Sequence, residues 1–333
     1  MATRGYSGYK GRKSPWKIVA AILLVLVILA AAGVLMLQKY LVYDASGTPH
    51  LRLPGQEEIK TPSSSGGASS SGDLGPVDVT IDPPERQSVL GYLLTAPNAD
   101  LTPYLAPDGD LNAVAVTLKG ADGQLRTDWQ DDETLKSVLS DESRHTIARI
   151  SCFLDGANAR SQVKEMGLEN TGGYIFYDAA NRNWLDPGKP AAREFLLDLI
   201  RQAAEAGFDE ILLTEVFYPT EGKLDKIAYS ADRTESLTLF LTEAKGLLAD
   251  YPGVTLSVAV TDTLLVDGED ETSGQSLSGF AALADAIYAL CEGGDYEAAK
   301  AAVAEAAGGK TTAFVALFDG VGYPPEEYLI PEA

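Results

Sequence analysis

From residue 84 onward, short apolar runs alternate along the chain with longer amphipathic segments. The short runs are rich in aliphatic and aromatic residues, as buried strands are, whereas the segment AAREFLLDLIRQAAEAG repeats apolar residues at helical spacing and ends at a glycine. Strands that alternate with helices over about 250 residues predict a single parallel (β/α)8 TIM-like barrel, with a doubly wound open sheet as the alternative. The predicted strands are residues 89–95, 112–118, 146–153, 174–177, 210–216, 254–261, 286–290 and 312–318.

Two of the expected barrel elements are irregular. The fourth run, within GGYIFYD, is short and also fits a hairpin inside a loop. Only fifteen residues follow residue 318, and they are too few and too rich in proline for a normal closing helix. We therefore expect a barrel that need not be complete at its C-terminal end.

A long apolar run precedes this domain. Residues 18–37 are uncharged and almost wholly apolar, and at about 1.5 Å per residue they match the roughly 30 Å hydrocarbon core of a membrane. A cleavable signal peptide is the alternative, but the run exceeds the roughly 7–15 apolar residues of such a peptide. We predict an uncleaved single-pass helix. Its N-terminal side is cytoplasmic because it carries the basic residues Arg4, Lys10, Arg12, Lys13 and Lys17.

Four segments follow from this interpretation. They are a basic cytoplasmic tail (1–17), a transmembrane helix (18–37), an extracellular linker (38–83) and a TIM-barrel domain (84–333). The linker contains KTPSSSGGASSSGDLGP, which has too little apolar surface to fold and predicts a flexible tether. The folded domain is therefore expected outside the cell membrane.

The charge of the chain restricts its partners. The formal net charge is −22, and setting aside the six basic residues up to Lys39 leaves 20 basic against 48 acidic residues, or about −28, on the external part. Such a field repels polyanions, which excludes nucleic acid as a good partner and favours neutral or cationic ligands such as uncharged glycans. The same negative charge can also serve only to keep the domain soluble, with no role in ligand binding.

Cysteine and histidine are scarce in this sequence. Cys152 and Cys291 could form one disulfide, but two buried free thiols are favoured because a domain of this size has core enough without one. His50 and His145 are far apart, and no Cys-x-x-Cys pair occurs. We therefore predict no metal and no other cofactor.

Carboxylates follow most of the predicted strands. In a parallel barrel the strand ends share one face, where active sites are built, although an acidic residue there can also simply cap the next helix. Six of the eight residues at these positions are carboxylates. The eight residues are Thr95, Lys119, Asp155, Asp178, Glu215, Asp262, Glu292 and Asp319.

Paired carboxylates without a cofactor are typical of glycoside hydrolysis. One acts as a proton donor, and the other acts as a nucleophile or as a base for water. Sugar sites also need aromatic platforms and planar donors. The predicted catalytic residues are Glu215 as the acid and Asp262 or Asp155 as the nucleophile or base. The predicted substrate-binding residues are Lys119, Arg149, Trp184, Asp178, Phe217, Tyr218 and Asp319.

Four segments in this order resemble a family of glycoside hydrolases with a predicted TIM-barrel fold, related to the α-amylase type of barrel. They are LNAVAVTLKGADGQL, HTIARISCFLDG, NWLDP and AGFDEILLTEVFYP. The resemblance covers residues 88–265 and, more weakly, the remainder. It implies a barrel that acts on O-glycosyl bonds, with Asp155 at the position of the acid that follows the third strand.

The chain departs from the family pattern in the fourth segment. The family has Glu-Ile-x-Phe-Asp-Tyr-x-Arg-Phe-Pro, whereas this chain has Thr214 at the Asp, Glu215 at the Tyr and Phe217 at the Arg. Thr117 likewise replaces an Asp of the second strand. Either Glu215 takes over the missing carboxylate role, or the barrel is an inactive glycan-binding or envelope-organising protein. A structural, protein-binding ectodomain is a third alternative.

The position of Glu215 decides whether it can take over that role. Because successive side chains of a strand point to opposite faces, a shift by one residue turns the carboxylate away from the site. The role can move to Glu215 only if the strand ends first or a bulge redirects the side chain.

Overall fold

The computed structural model describes residues 41–43, 49–51, 88–104, 111–127, 129–291, 295–318 and 324–332. The chain divides into two compact units, Met1–Val79 and Thr80–Ala333. In the first unit, Leu41–Tyr43 pairs antiparallel with Pro49–Leu51. The predicted transmembrane helix lies outside the described residues. Among the residues that are described, no helix has the length and apolar character needed to cross a membrane.

The second unit is a closed barrel of eight parallel strands. Each strand pairs with the next one along the chain, and the last strand pairs with the first. The predicted TIM-like barrel is thus confirmed and the open sheet is not. The strands are β1 (Leu90–Leu94), β2 (Ala113–Lys119), β3 (His145–Ser151), β4 (Glu210–Thr214), β5 (Thr255–Ala259), β6 (Ala286–Leu290), β7 (Ala313–Leu317) and β8 (Tyr328–Glu332).

The fourth predicted strand was wrong, and the closing strand was missed. Residues 174–177 lie in the loop after β3, with a single antiparallel bridge between Glu169 and Ile175. The barrel closes through β8 instead, which pairs with β7 on one side and β1 on the other. The barrel is therefore complete at its C-terminal end, where the sequence suggested an incomplete one. Pro331 is tolerated there although it has no amide hydrogen, because the Thr95 amide and hydroxyl both donate to the Glu332 carbonyl and complete the pairing beyond it.

Helices follow most strands and cover the barrel. Short paired segments also occur in the loops, at Glu169–Asn170 with Ile227–Ala228 and at Glu269–Asp270 with Gln275–Ser276, and 3-10 turns lie at Thr102–Tyr104 and Leu224–Lys226. The described helices are α1 (Glu133–Leu139), α2 (Gly156–Ser161), α3 (Pro190–Ala206), α4 (Arg233–Leu248), α5 (Asp262–Asp267), α6 (Leu277–Leu283) and α7 (Tyr296–Ala306).

The two longest helices show why the sequence folds in this way. Helix α3 begins with a proline, whose fixed φ suits a first turn, and ends at Gly207 with φ of +96°. Its buried residues, which include Leu196, Leu199, Ile200 and Ala203, form one apolar stripe. Asp232 caps α4 by accepting a hydrogen bond from the Glu235 amide. These stripes pack on the outer surface of the strands.

The interior of the barrel holds a second, smaller core, which includes Ala115, Ile147, Leu212 and Val315. At the amino ends of the strands this core contains a buried carboxylate, Glu210. His145 Nε2 lies 2.7 Å from Glu210 Oε2, and the Tyr288 hydroxyl donates to Oε1 at 2.7 Å. These contacts satisfy a charge that would otherwise be costly to bury. The barrel beneath the candidate site is therefore closed and filled.

Candidate active site at the carboxyl ends of the strands

Glu215 lies directly beyond the end of β4. Strand β4 ends at Thr214, and Glu215 has φ of +51°, a left-handed conformation that non-glycine residues seldom adopt. Two hydrogen bonds hold this backbone in place, from the Cys152 amide to the Thr214 carbonyl at 2.8 Å and from the Phe153 amide to the Glu215 carbonyl at 3.2 Å. The left-handed conformation of Glu215 interrupts the alternation of side chains between the two faces of β4. The direction of the Glu215 carboxylate is therefore not set by that alternation.

The Glu215 carboxylate instead points to Arg149 of β3. Oε1 lies 3.4 Å from Arg149 Nη2, and the Thr214 hydroxyl donates to Oε2. Arg149 lies on the same face of its strand as Ile147, a residue of the barrel interior, and its Nη1 contacts Thr117 Oγ1 at 3.3 Å and the Thr95 carbonyl at 3.4 Å. The side chain of Glu215 remains 21% exposed. The structure therefore brings Glu215 and Arg149 together at the mouth of the barrel.

Lys119 and Asp155 form a buried ion pair. Lys119 Nζ lies 3.1 Å from Asp155 Oδ2, and both side chains are 0% exposed. The register between β2 and β3 shifts between Thr117 and Lys119, which places the lysine where it also donates to the Ser151 carbonyl at 2.7 Å. These contacts tie the end of β3 to the loop that follows. Asp155 and Lys119 are thus sealed away from solvent in this conformation.

Asp155 has further structural contacts. It caps α2, because its Oδ1 accepts from the Asn158 amide at 2.8 Å and its Oδ2 accepts from Asn158 Nδ2 at 2.9 Å. Gly123, with φ of +89°, passes so close that an added Cβ would lie 2.1 Å from Asp155 Oδ1. Both carboxylate oxygens of Asp155, the acid that the family pattern retains, therefore already have partners within the protein.

Asp262 is exposed on the other side of Glu215. It is the first residue of α5, three positions after β5 ends, and its Oδ1 accepts from the Thr263 amide at 2.8 Å. Strand β5 pairs directly with β4, so Asp262 and Glu215 follow neighbouring strands. Of the three predicted catalytic carboxylates, Glu215 and Asp262 reach solvent and Asp155 does not.

The predicted sugar-binding residues Trp184 and Asp178 are buried together. Trp184 Nε1 donates to Asp178 Oδ2 at 3.1 Å, and the Arg182 side chain donates to the same oxygen at 2.8 Å. Burial raises the pKa of Asp178, but hydrogen bonds from the Arg182 amide, Trp184 and the Arg182 side chain outweigh it and hold the pKa below its usual range. Both residues build the loop after β3 rather than line an open surface.

Phe217 and Tyr218 differ in exposure. Phe217 is partly exposed and packs on Trp184, with 5.4 Å between ring centroids, whereas Tyr218 is fully buried. The Tyr218 hydroxyl contacts Asp186 Oδ1 at 3.3 Å, and burial raises the pKa of that hydroxyl. Of these aromatic residues, only Phe217 offers surface to a ligand. Asp319, the last predicted substrate-binding residue, lies outside the described residues, as does Glu292.

Asp186, within the NWLDP segment, was not selected as a site residue. It is completely buried, and its Oδ1 accepts from the Gly188 amide at 2.9 Å, while among the described residues Oδ2 has no hydrogen-bond partner. Burial raises the pKa of this carboxyl above its usual range. An acidic residue between apolar neighbours was the only signal in the sequence that could have identified it.

Asp186→Asn is expected to remove a pH-dependent loss of stability. Because the folded pKa is raised, the stabilising effect of the protonated carboxyl is complete below the unfolded pKa and is lost as the pH rises through the folded pKa. The free energy of unfolding of the variant, minus that of the wild type, should therefore increase between pH 4 and pH 7, as measured by urea denaturation. Asp250→Asn, at an exposed position, is the control. A difference that is constant or falls with pH would contradict this assignment.

Both cysteines are free and buried. Burial raises the pKa of Cys152 far above its ordinary value, which opposes a role as a thiolate nucleophile. Within the described part of the chain, no three His, Cys, Asp or Glu side chains come together in a group that could hold a metal ion. The functional groups that the described part of this face offers are carboxylates, the Arg149 guanidinium and hydroxyl groups.

A closed parallel barrel with carboxylates and an arginine at the carboxyl ends of its strands defines a TIM-like barrel with a candidate active site on the face where such barrels carry theirs. Residues 104–307, more than half of the chain, match the family described as "Putative glycosyl hydrolase domain". The chain belongs to this glycosyl hydrolase family, and its barrel is a glycoside-hydrolase-like domain. A search of curated proteins gives no match.

Three solved structures of bacterial proteins are among those similar to this chain. A hypothetical protein from Ruminiclostridium thermocellum is 23% identical with a TM-score of 0.42, over 51% of this chain and 96% of that one. The PgaB glycoside hydrolase domain from Bordetella bronchiseptica is 14% identical with a TM-score of 0.46, over 62% and 74%. The PelA glycoside hydrolase domain from Pseudomonas aeruginosa is 15% identical with a TM-score of 0.44, over 69% and 83%.

Proposed function

We propose that this protein is a membrane-anchored, extracellular glycoside hydrolase in which Glu215 is the principal catalytic carboxylate. The observation that carries the proposal is the left-handed backbone of Glu215, which directs its partly exposed carboxylate to Arg149 at the mouth of the barrel. Strained backbone of this kind costs on the order of 1–3 kcal/mol and is concentrated at functional sites. The family's lost aspartate at position 214 is thereby replaced by the next residue.

The contacts of Glu215 favour a nucleophile or base rather than the acid predicted from the sequence. The Arg149 guanidinium and the Thr214 hydroxyl both present donors to the carboxylate, an arrangement that suits an acceptor of protons or a nucleophile more than a proton donor. An ionised carboxylate in this place would stabilise or attack the positively charged anomeric carbon that develops as the glycosidic bond breaks.

Asp262 is the proposed proton donor. It follows β5, and paired strands lie about 4.8 Å apart, so the loops after β4 and β5 border the same side of the mouth. In a retaining enzyme the two carboxyl groups are about 5–5.5 Å apart, and in an inverting enzyme about 6.5–9.5 Å apart. The stereochemistry of the product therefore reports how far Asp262 lies from Glu215 when substrate is bound.

The charge of the chain favours a neutral or cationic polysaccharide as the substrate. With 48 acidic and 26 basic residues, the protein repels polyanions, so we expect no binding of nucleic acid. Carbohydrate is the partner that both the family and the charge support. No cofactor is required by the proposed chemistry, since both proton transfers use side chains.

The proposal is tested by incubating the full-length protein in detergent with a panel of neutral and amino-sugar polysaccharides. Release of new reducing ends, with products resolved by mass spectrometry, is the expected result. An Asp262→Asn variant should lose this release, whereas Asp267→Asn, at an exposed position at the end of the same helix, should retain it. Hydrolysis that survives combined Glu215→Gln and Asp262→Asn substitution would refute the catalytic assignment.

The membrane anchor is a separate part of the proposal. The apolar residues 18–37 and the basic residues before them support a single-pass helix with a cytoplasmic N-terminus. We expect the protein to remain in the membrane fraction at alkaline pH, and we expect protease added outside intact cells to cleave within residues 38–83. Recovery of the chain in the soluble fraction, beginning after residue 32, would instead indicate a cleaved signal peptide.

A barrel that binds glycan without cleaving it is the second candidate. Both oxygens of Glu215 already face protein donors, and Asp155, where the family acid is retained, is sealed against Lys119. This candidate predicts glycan binding with no product, and equal binding by wild type and Glu215→Gln. The polysaccharide panel separates the two candidates directly.

A further inference from the structure

The loop after β3 presents two tyrosines to solvent. We call residues 169–178 the tyrosine loop. Tyr174 is 74% exposed and Tyr177 is 50% exposed, and among the described residues they are the only aromatic side chains that are both large and predominantly exposed. The other aromatic residues of this region, such as Phe176 and Trp184, are packed inside. Two exposed rings within one short loop are therefore not explained by packing.

The backbone that carries Tyr174 is firmly held. Asn170 Oδ1 accepts from the Gly172 amide at 2.9 Å and from the Tyr174 amide at 3.3 Å, and the Asn170 amide donates to the Tyr174 carbonyl at 2.7 Å. Lys164 Nζ donates to the Gly173 carbonyl at 3.0 Å. A platform that is rigid before binding loses little conformational entropy when a ligand arrives.

One side of the Tyr174 ring rests on a glycine. A Cβ added to Gly172 would lie 3.3 Å from Cδ2 and 3.6 Å from Cε2 of that ring. The glycine therefore lets the ring lie close to the backbone while most of its surface stays open. A flat, supported aromatic ring of this kind matches the apolar face of one pyranose ring.

The tyrosine loop is joined to the candidate site by direct contacts. Phe217, two residues after Glu215, packs on Trp184, and Trp184 donates to Asp178, which follows Tyr177 in the chain. The loops after β3 and β4 also pair through Glu169–Asn170 and Ile227–Ala228. Both elements lie at the carboxyl ends of the strands, so a linear ligand at Glu215 can continue towards the tyrosines.

We propose that Tyr174 and Tyr177 are stacking subsites for sugar residues beyond the cleavage point, and that the substrate is consequently a polymer of several sugars rather than a small glycoside. This inference rests on the proposed function only in that it takes the cleaved bond to lie at Glu215. The binding of sugars to the two tyrosines does not depend on cleavage. The tyrosine loop also contains the polar residues Glu169 and Asn170, and Lys164 donates to Glu169. Tyr174 and Tyr177 are the large exposed apolar side chains of this loop, so they do not form part of a broad apolar patch. Isolated rings suit single sugars better than a protein interface, which needs roughly 800 Å² on each partner.

The test measures how affinity depends on chain length. The probes are chito-oligosaccharides and glucosamine oligosaccharides from dimer to hexamer, titrated by calorimetry into the full-length Glu215→Gln protein so that no cleavage occurs. Tyr174→Ala and Tyr177→Ala should each weaken hexamer binding by about 10-fold, the value of one good aromatic contact, and should leave dimer binding within about 2-fold. Tyr174→Phe should retain hexamer binding, and Leu239→Ala, exposed on the outer helix α4, should change nothing.

The outcomes separate this inference from the proposed function. Equal affinities of the tyrosine variants and their parent at every length, or no binding of any oligosaccharide, would overturn the inference. A loss that is equal for dimer and hexamer would also overturn it, because it would place the tyrosines at the cleavage point. Chain-length dependence in the Glu215→Gln protein, together with no product from the wild type on the polysaccharide panel, would support the inference while refuting hydrolysis. Tyrosine-dependent capture of a protein in place of glycan would assign the loop to a protein partner.

Discussion

Glu215→Gln is expected to lower the rate of glycan cleavage by about 10²–10⁴-fold, the contribution of a positioned acid, base or nucleophile. The amide keeps the size of the side chain and can still accept from the Thr214 hydroxyl, but it removes the negative charge that the anomeric centre requires. Turnover of the best polysaccharide of the panel, followed as reducing ends, is the measurement. Affinity for the uncleaved chain should change much less than turnover.

The control for this variant lies in the same loop. Glu221→Gln alters an exposed carboxylate six residues further along the chain and should leave turnover unchanged. Unfolding midpoints of both variants should match the wild type, which separates lost chemistry from lost structure. Full turnover by Glu215→Gln would show that the left-handed glutamate is a structural feature, and the assignment would then fail.

Lys119→Met is expected to lower the free energy of unfolding by about 3–5 kcal/mol, the typical cost of leaving one member of a buried ion pair without its partner. Lys119 and Asp155 are both 0% exposed, and the lysine also holds the Ser151 carbonyl at 2.7 Å. Its loss leaves a buried carboxylate and a free carbonyl at the point where β3 enters the loop. Urea denaturation at pH 7 gives the difference.

A second variant distinguishes the ion pair from simple loss of packing. Lys119→Met combined with Asp155→Asn should be more stable than Lys119→Met alone by about 1 kcal/mol or more, because the asparagine carries no charge and still caps α2. Lys136→Met, which breaks an exposed pair with Glu133, should leave the midpoint nearly unchanged. A double variant that is less stable than the single one would mean that the pair is not the source of the loss.

Much of the barrel could be predicted from the sequence because its strands are apolar on both faces. Seven of the eight predicted runs overlap barrel strands, from Leu90–Leu94 to Ala313–Leu317. The closing strand Tyr328–Glu332 was missed because five residues with an internal proline do not resemble a strand without partners on both sides. Residues 174–177 were assigned as a strand because they are apolar and aromatic, whereas two of the aromatic rings face solvent.

The candidate site was less predictable than the barrel. Carboxylates at strand ends could be found from the pattern, but nothing in the pattern indicated that Asp155 forms a buried ion pair with Lys119 or that Trp184 and Tyr218 are buried. The left-handed conformation of Glu215 depends on amides of the neighbouring loop at Cys152 and Phe153. Such contacts join residues that are some sixty positions apart, and no local pattern specifies them.

Glu215 is proposed to act directly on the glycosidic bond. The most direct measurement is a crystal structure of the full-length Glu215→Gln protein with an oligosaccharide that the wild type cleaves. We predict the side chain at position 215 within about 3.5 Å of the anomeric carbon or its bound water, the near-attack distance, with Asp262 on the opposite side of the bond. An oligosaccharide whose scissile bond lies away from position 215, with that side chain still held against Arg149, would contradict the account.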